Sequence, residues 1–397
     1  MTLFTWVRED ELASNQELVR KFQNEHPGIS VRIINVPGSM EAMAKLHTMV
    51  AGGEAPDVAS LHGAYYLSFA DSGALYDLNQ FIAQDPEFDL QDFHPRLVQM
   101  CRWKGKLFSL PRYTSLYALF YNKDLFDAAG VPYPDKQGEW TWQNYLDTVR
   151  KLTLDIDGDG RKDQWGCYID FWGARIYPWL WQNGADLMDP GRTRLTLDTS
   201  NAIEALTFVV NLRQKYVVTP EPTPGERNEG LELFAQGKVA TYISGPWDVR
   251  ELRRRAHFAW DVWHLPKKKR RATMLGTENY AVMAATKHPK EAWELFKFLL
   301  SKDSQAFMAE QQENMPSRIS VLKGPYLQAN AGYNRKVFVD ALEYAQAPPN
   351  IPEWDKVQHL LQEELDLIWI GKKSVKQGVA DAVRKVNAAL KGMRKEK

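Results

Sequence analysis

The sequence predicts an α/β protein built as two lobes. Three observations carry this. The first third of the chain alternates β-branched runs with amphipathic runs over short connections. The middle continues the pattern with interruptions. The 397 residues exceed what one hydrophobic core usually organises.

Taken in order, residues 3–6 read as a short apolar strand. Residues 11–25 read as a helix with Leu12, Leu18, Val19 and Phe22 on one face, stopped by Pro27-Gly28. Residues 29–36 are β-branched, with Ile29, Val31 and Ile33 alternating. Residues 40–50 are helical up to Gly52-Gly53, and 57–61 form another strand. Such strand–helix–strand units imply right-handed crossovers and a mainly parallel sheet. Further on, 119–122 reads as a strand after a strand-like run from Leu107, and 141–152 and 200–216 as helices. Residues 239–244 and 280–285 are strands, and 289–300 is a helix with Ala292, Leu295, Phe296, Leu299 and Leu300 inward. Residues 357–370 and 375–390 close the chain as helices. Proline clusters at 219–225 and 348–352 mark surface loops, and no internal repeat is present.

Composition narrows the function. Lys plus Arg is 50 and Asp plus Glu is 50, and this zero net charge argues against nucleic acid as the main partner. The basic runs at 253–255 and 267–271 read as solvated surface, with a docking patch or an anionic ligand as the functional alternative. Two cysteines, Cys101 and Cys167, exclude a disulfide framework or a cysteine-built zinc site, and read as buried free thiols. No apolar run reaches 18 residues, so no membrane-spanning helix is expected. The chain carries no G-x-S-x-G, H-E-x-x-H, Walker loop or G-x-G-x-x-G after a strand, so catalysis is not expected.

One segment has metal-ligand spacing. Asp155, Asp157, Asp159, Arg161 and Asp163 occupy positions 1, 3, 5, 7 and 9 of a calcium-type loop, with Gly160 at position 6. Position 12 is Gly166 rather than a bidentate Glu. The segment therefore reads as a weak structural Ca²⁺ loop or as a Gly/Asp-rich turn; no other cofactor is expected.

The unusual feature is aromatic content: 14 Trp, 16 Tyr and 17 Phe. Trp103, Tyr113, Tyr117, Trp140, Trp142, Trp165, Trp172, Trp179, Trp181, Trp247, Trp260, Trp263 and Trp354 fall in loop-like surroundings, whereas Trp293 sits on a helix stripe and reads as core. Flat rings flanked by Asp, Glu, Asn and Arg suit sugars, whose C–H faces stack while their hydroxyls meet planar polar groups.

At this point the chain resembles the extracytoplasmic carbohydrate solute-binding proteins of ATP-binding-cassette importers, the family of maltose-binding protein. The resemblance rests on Glu54-Ala55-Pro56-Asp57-Val58, on residues 71–78, 105–111, 118–126 and 234–240, on Gly245-Pro246-Trp247, and on 289–300 followed by Ser301. Each is loose alone; their order and spacing make the match specific. The resemblance implies a two-lobed periplasmic-binding-protein-like fold, each lobe a mainly parallel sheet flanked by helices, with hinge strands between. It implies an N-terminal lobe of 1–111 and 272–316 and a C-terminal lobe of 112–271 and 317–397. It implies that the protein is no enzyme and closes by hinge bending over a carbohydrate in an aromatic-lined cleft. By position, Trp6, Asp10, His62, Tyr65, Tyr113, Trp172, Arg175, Trp247, Glu278 and Asn279 would bind the ligand. Ser115 stands where maltose-binding protein has an acidic residue, so the ligand need not be maltose.

The resemblance further implies a monomer that delivers its ligand to membrane permease subunits. It implies an extracytoplasmic location, periplasmic or lipid-anchored, with the export signal absent from this sequence. A polyol or glycerol-phosphate-type solute is the alternative, motivated by Arg112, Arg175 and Arg318; a carbohydrate-active enzyme is the third reading.

Overall fold

A computed structural model describes residues 1–221, 223, 229–312, 314–329 and 331–395. Positions 222, 224 and 225 of the expected proline loop lie outside the described residues, as does the side chain of Asp10. The chain divides into two compact units, residues 1–115, 276–329 and 350–352, and residues 116–275, 330–349 and 353–397.

In the first unit, strand Thr2–Thr5 pairs in parallel with Arg32–Asn35 on one side and Val58–His62 on the other. Helices Glu9–Glu25 and Ser39–Ala51 supply the two crossovers, as the alternation requires. Beyond Val58–His62 the sheet continues through Thr273–Val282, which is antiparallel to it, then Leu110–Leu116 and the antiparallel Met315–Pro316. Successive residues of Thr2–Thr5 feed two separate cores. Leu3 packs with Leu18, Val19 and Phe22, and Phe4 with Leu46, Leu67 and Phe69. Both faces of the sheet are therefore covered, which is why its central strands read as continuous apolar runs.

Residues 317–329, expected in the second lobe, group with the first unit. The physical anchor is Arg318, whose Nε donates to Leu300 O at 2.6 Å and whose Nη1 lies 3.2 Å from Asp92 Oδ2. Ser317 Oγ also donates to Pro111 O.

In the second unit, Ala118–Asn122 lies between Thr241–Ser244 and Trp260–Trp263, and both pairings are antiparallel. In the second unit the expected parallel pairing is thus reduced, among the described residues, to short pieces such as the bridges Trp165–Val239 and Tyr168–Tyr242. Ala118–Asn122 and Thr241–Ser244 are remote in sequence, so no single strand–helix–strand crossover dictates their direction.

Most of the aromatic excess builds the core of this unit. Trp140, Trp142 and Trp354 are buried, and helix Gly173–Gln182 buries Trp179 at 2% and Trp181 at 1% exposure. Trp142 stacks on Phe208 with ring centres 4.6 Å apart, and its Nε1 donates to Gln182 Oε1 at 2.7 Å. These tryptophans are core residues. The segment hides its helical state because it is short, nearly all of its residues are buried and Pro178 sits inside it.

The basic run at 267–271 is tied into the same unit. Lys267 Nζ lies 2.6 Å from Glu139 Oε1, Lys268 Nζ 3.6 Å from Glu204 Oε1, and Arg270 Nε donates to Trp181 O.

Candidate functional site

Each unit assembles one group of the expected ligand residues. In the first, the register of Val58–His62 against Thr273–Val282 sets His62 directly opposite Glu278. Paired residues of antiparallel strands project to the same face, so the two side chains are neighbours. The next backbone step is closed by Gly63 N donating to Thr277 O at 2.8 Å; a Cβ on Gly63 would stand 2.6 Å from that oxygen, so the approach needs glycine. Rings extend the group: Trp6 lies 5.8 Å and Tyr65 5.4 Å from the His62 ring, centre to centre. Ala64 N donates to His62 Nδ1 at 3.2 Å, and burial pushes His62 down to about 4, so the ring is neutral at pH 7.

Arg112 joins this group. Its guanidinium carbon lies 4.3 Å from the centre of the Tyr113 ring and 5.3 Å from that of Tyr280. It donates to both hydroxyls, to Tyr280 at 3.2 Å. Burial raises the Glu278 carboxyl well above the usual carboxylate range, with Arg112 opposing and Glu11 adding to the rise. Three buried polar atoms here, Glu278 Oε2, Trp6 Nε1 and Arg112 Nε, have no hydrogen-bond partner among the described residues. Unpaired buried polar atoms cost free energy, and a hydroxyl-bearing ligand would satisfy them. Asn279 stands apart. As the next residue it leaves the strand on the opposite face, where it is fully buried and its Oδ1 accepts from Cys101 Sγ at 3.6 Å.

In the second unit, Arg175 is central. It lies in the first turn of Gly173–Gln182, with its guanidinium carbon 4.9 Å from the centre of the Tyr117 ring and 6.0 Å from that of Trp247. Tyr117 and Trp247 meet edge to face at 5.6 Å. Arg175 Nε lies 3.5 Å from Asp170 Oδ2, and Arg175 donates to Ile243 O. Burial raises the Asp170 carboxyl, and the neighbouring Arg175 opposes that rise. The Trp247 ring is seated on Gly245, where a Cβ would stand 2.1 Å from the indole and 2.7 Å from Leu116 O.

Trp172 precedes that helix and is 44% exposed. Both of its neighbours are pinned. Phe171 stacks on Trp369 at 4.6 Å with 8° between planes, and Gly173 N donates to Gln362 Oε1 at 2.8 Å. The indole is thus held outward by its flanks rather than by its own contacts. Tyr117 and Asp170 belong to this group although the sequence reading did not place them in the ligand set. The spacing of Tyr117 two residues after Ser115 and four after Tyr113 was the available signal.

The aspartate loop is shaped by its own backbone. Gly158 N and Gly160 N donate to Asp155 at 2.8 and 3.0 Å, Ile156 N to Asp163 at 2.6 Å, and Arg161 N to Asp159 at 2.7 Å. One oxygen each of Asp155, Asp157 and Asp159 lie within 4.8 Å of one another. Arg161 enters only through its backbone.

The sequence profile of bacterial extracellular solute-binding proteins matches residues 7–306. The chain belongs to that family. Among curated relatives of this solute-binding protein, a galactooligosaccharide-binding protein of Bacillus subtilis is 22% identical over 98% of this chain and 89% of the relative. An sn-glycerol-3-phosphate-binding periplasmic protein of Pectobacterium atrosepticum is 23% identical over 96% and 89%. Among solved structures, an ABC substrate-binding protein of Listeria monocytogenes in complex with cycloalternan superposes with TM-score 0.89, at 24% identity and 98% coverage of both chains. The α/β periplasmic-binding-protein fold and the non-enzymatic role expected from the sequence agree with this membership. No described helix is long and apolar enough to cross a membrane.

Proposed function

We propose that this solute-binding protein takes up a neutral mono- or oligosaccharide and delivers it, as a monomer outside the cytoplasm, to the membrane subunits of an ATP-driven importer. Trp6, His62, Tyr65, Tyr113, Arg112 and Glu278 form the candidate ligand group of the first unit, and Trp172, Arg175, Tyr117 and Trp247 that of the second. The observation that carries this reading is Arg175, whose charge is matched by Asp170 while its plane lies over two rings. A balanced guanidinium beside aromatic faces offers planar hydrogen-bond donors and stacking without a net charge to satisfy, which suits a sugar.

A phosphate ester is the competing reading, supported by the name of the Pectobacterium relative and by Arg112, whose neighbour Glu278 is driven toward its neutral form. Arg318 no longer supports that reading, because Asp92 and Leu300 O occupy it. Calorimetric titration with a sugar panel and with sn-glycerol 3-phosphate at low and high salt separates the two. Sugar affinity is insensitive to salt, whereas ester affinity falls with it.

A further inference from the structure

Glu278 is 5% exposed, and its Oε2 has no hydrogen-bond partner among the described residues. The charged and titratable groups that face it come from four elements. His62 lies opposite on strand Val58–His62, and Arg112 and Tyr113 belong to Leu110–Leu116. Glu11 is on helix Glu9–Glu25, and Tyr280 lies two residues along the Glu278 strand itself. Arg112 turns its donors to the Tyr113 and Tyr280 hydroxyls rather than to the carboxyl. His62 is pushed down to about 4 by burial, and its Nδ1 accepts from Ala64 N. Burial raises the Glu278 carboxyl; Arg112 opposes that rise, and Glu11, paired with Arg8 at 3.0 Å, adds to it.

Burying a carboxylate with no hydrogen bond and no ion pair costs far more than burying the neutral acid. The site therefore favours Glu278 with its proton, and in that form the carboxyl is a donor as well as an acceptor. The two other polar atoms of this group without partners, Trp6 Nε1 and Arg112 Nε, are donors by their chemistry. With the proton in place, all three unpartnered positions offer hydrogen. What completes them is an oxygen lone pair. The ring oxygen and the glycosidic oxygen of a sugar are ethers, which accept and cannot donate. A donor-lined group suits them, where a carboxylate would repel them.

On the reading of this group as part of the ligand site, we propose that Glu278 meets the ligand as the neutral acid, donating its proton in a hydrogen bond to an ether or hydroxyl oxygen, and that it is a specificity-determining residue which makes binding depend on pH. The proton stays on the carboxyl while the ligand is bound. The residues around it hold their state near neutral pH. His62 is already neutral, and burial raises the Tyr113 hydroxyl. Burial works against the Arg112 charge, yet Tyr113, Tyr280 and Glu278 together raise the guanidinium above its ordinary value. A change of affinity in this range is therefore not theirs.

The test pairs infrared spectroscopy of the ligand-free full chain with calorimetric titration from about pH 5 to about pH 9, using a panel of mono- and oligosaccharides with glucose, maltose and lactose among them. Near pH 7 the parent protein should show a protonated-carboxyl band that Glu278→Gln lacks. Affinity should hold while that band is present and fall, by about ten-fold per pH unit, beyond the pH at which it is lost. Glu278→Gln keeps an N–H donor and should bind without that dependence, whereas Glu278→Ala should bind about ten-fold more weakly. The donor role is overturned by absence of the band, by affinity that rises or holds as the band is lost, or by a fall that Glu278→Gln retains. Absence of binding by the whole panel overturns the sugar reading and this role together; the other results overturn this role alone.

Discussion

Glu278 and His62 stand directly opposite each other on antiparallel strands, and burial favours the neutral form of each. The consequences for stability have opposite signs. His62 is pushed down to about 4 from an ordinary value of 6.5, so the unfolded chain takes up the proton first. The stability tied to His62 is full above pH 6.5 and is lost as pH falls from 6.5 to 4. Glu278 is raised, so the folded chain keeps a proton that the unfolded chain releases above its ordinary value of 4.5. Its contribution worsens as pH rises. Denaturant midpoints should therefore fall less between pH 7 and pH 4.5 in His62→Gln than in the parent protein. Glu278→Gln should gain relative stability toward pH 7. His264, pushed to about 4 by burial, accounts for acid sensitivity that survives in His62→Gln.

The tryptophans divide by burial, and the division is measurable. Trp179→Ala removes a core ring and should cost about 3–5 kcal/mol of stability. Trp172→Ala removes a 44% exposed ring held only by its neighbours, so stability should stay within about 0.5 kcal/mol. Ligand affinity should fall about ten-fold in Trp172→Ala, as for loss of one stacking contact. A stable Trp179→Ala protein would contradict this division.

Gly245 links fold to ligand group. A methyl added there would run into the Trp247 indole and Leu116 O, and the backbone oxygen cannot yield. Gly245→Ala should displace Trp247, lower stability by about 1–3 kcal/mol and weaken ligand binding. Unchanged ligand affinity in Gly245→Ala would separate Trp247 from the site.

The aspartate loop holds its shape through hydrogen bonds from its own backbone to Asp155, Asp159 and Asp163. Asp155→Ala should lower the melting temperature, and chelator should leave the parent protein unchanged. A rise in melting temperature on adding Ca²⁺ would instead assign an ion to the loop.

Much of the first unit was legible in the sequence because its opening strands are parallel, linked by single crossovers and bounded by Pro27-Gly28 and Gly52-Gly53. The second unit was less so. Its antiparallel strands meet across long stretches of chain, and Trp179 and Trp181 occupy a short, almost wholly buried helix that contains Pro178. Of the candidate ligand residues, Trp247 and Arg175 were singled out from motif and position. Asn279 follows Glu278 on the strand, and a one-residue step sets it on the opposite face. Arg112 motivated the glycerol-phosphate alternative by position; its contacts with the hydroxyls of Tyr113, adjacent to it, and Tyr280, 168 residues away, were not legible together in the sequence.

The central proposal is that this solute-binding protein takes a neutral sugar, with the charge of Arg175 matched by Asp170. Its most direct test is calorimetric titration of the full chain with mono- and oligosaccharides at low and high salt, repeated with Trp247→Ala. The account predicts saturable binding of at least one sugar, unaffected by salt and lost in the variant. Binding of sn-glycerol 3-phosphate alone, weakening as salt rises, would contradict it.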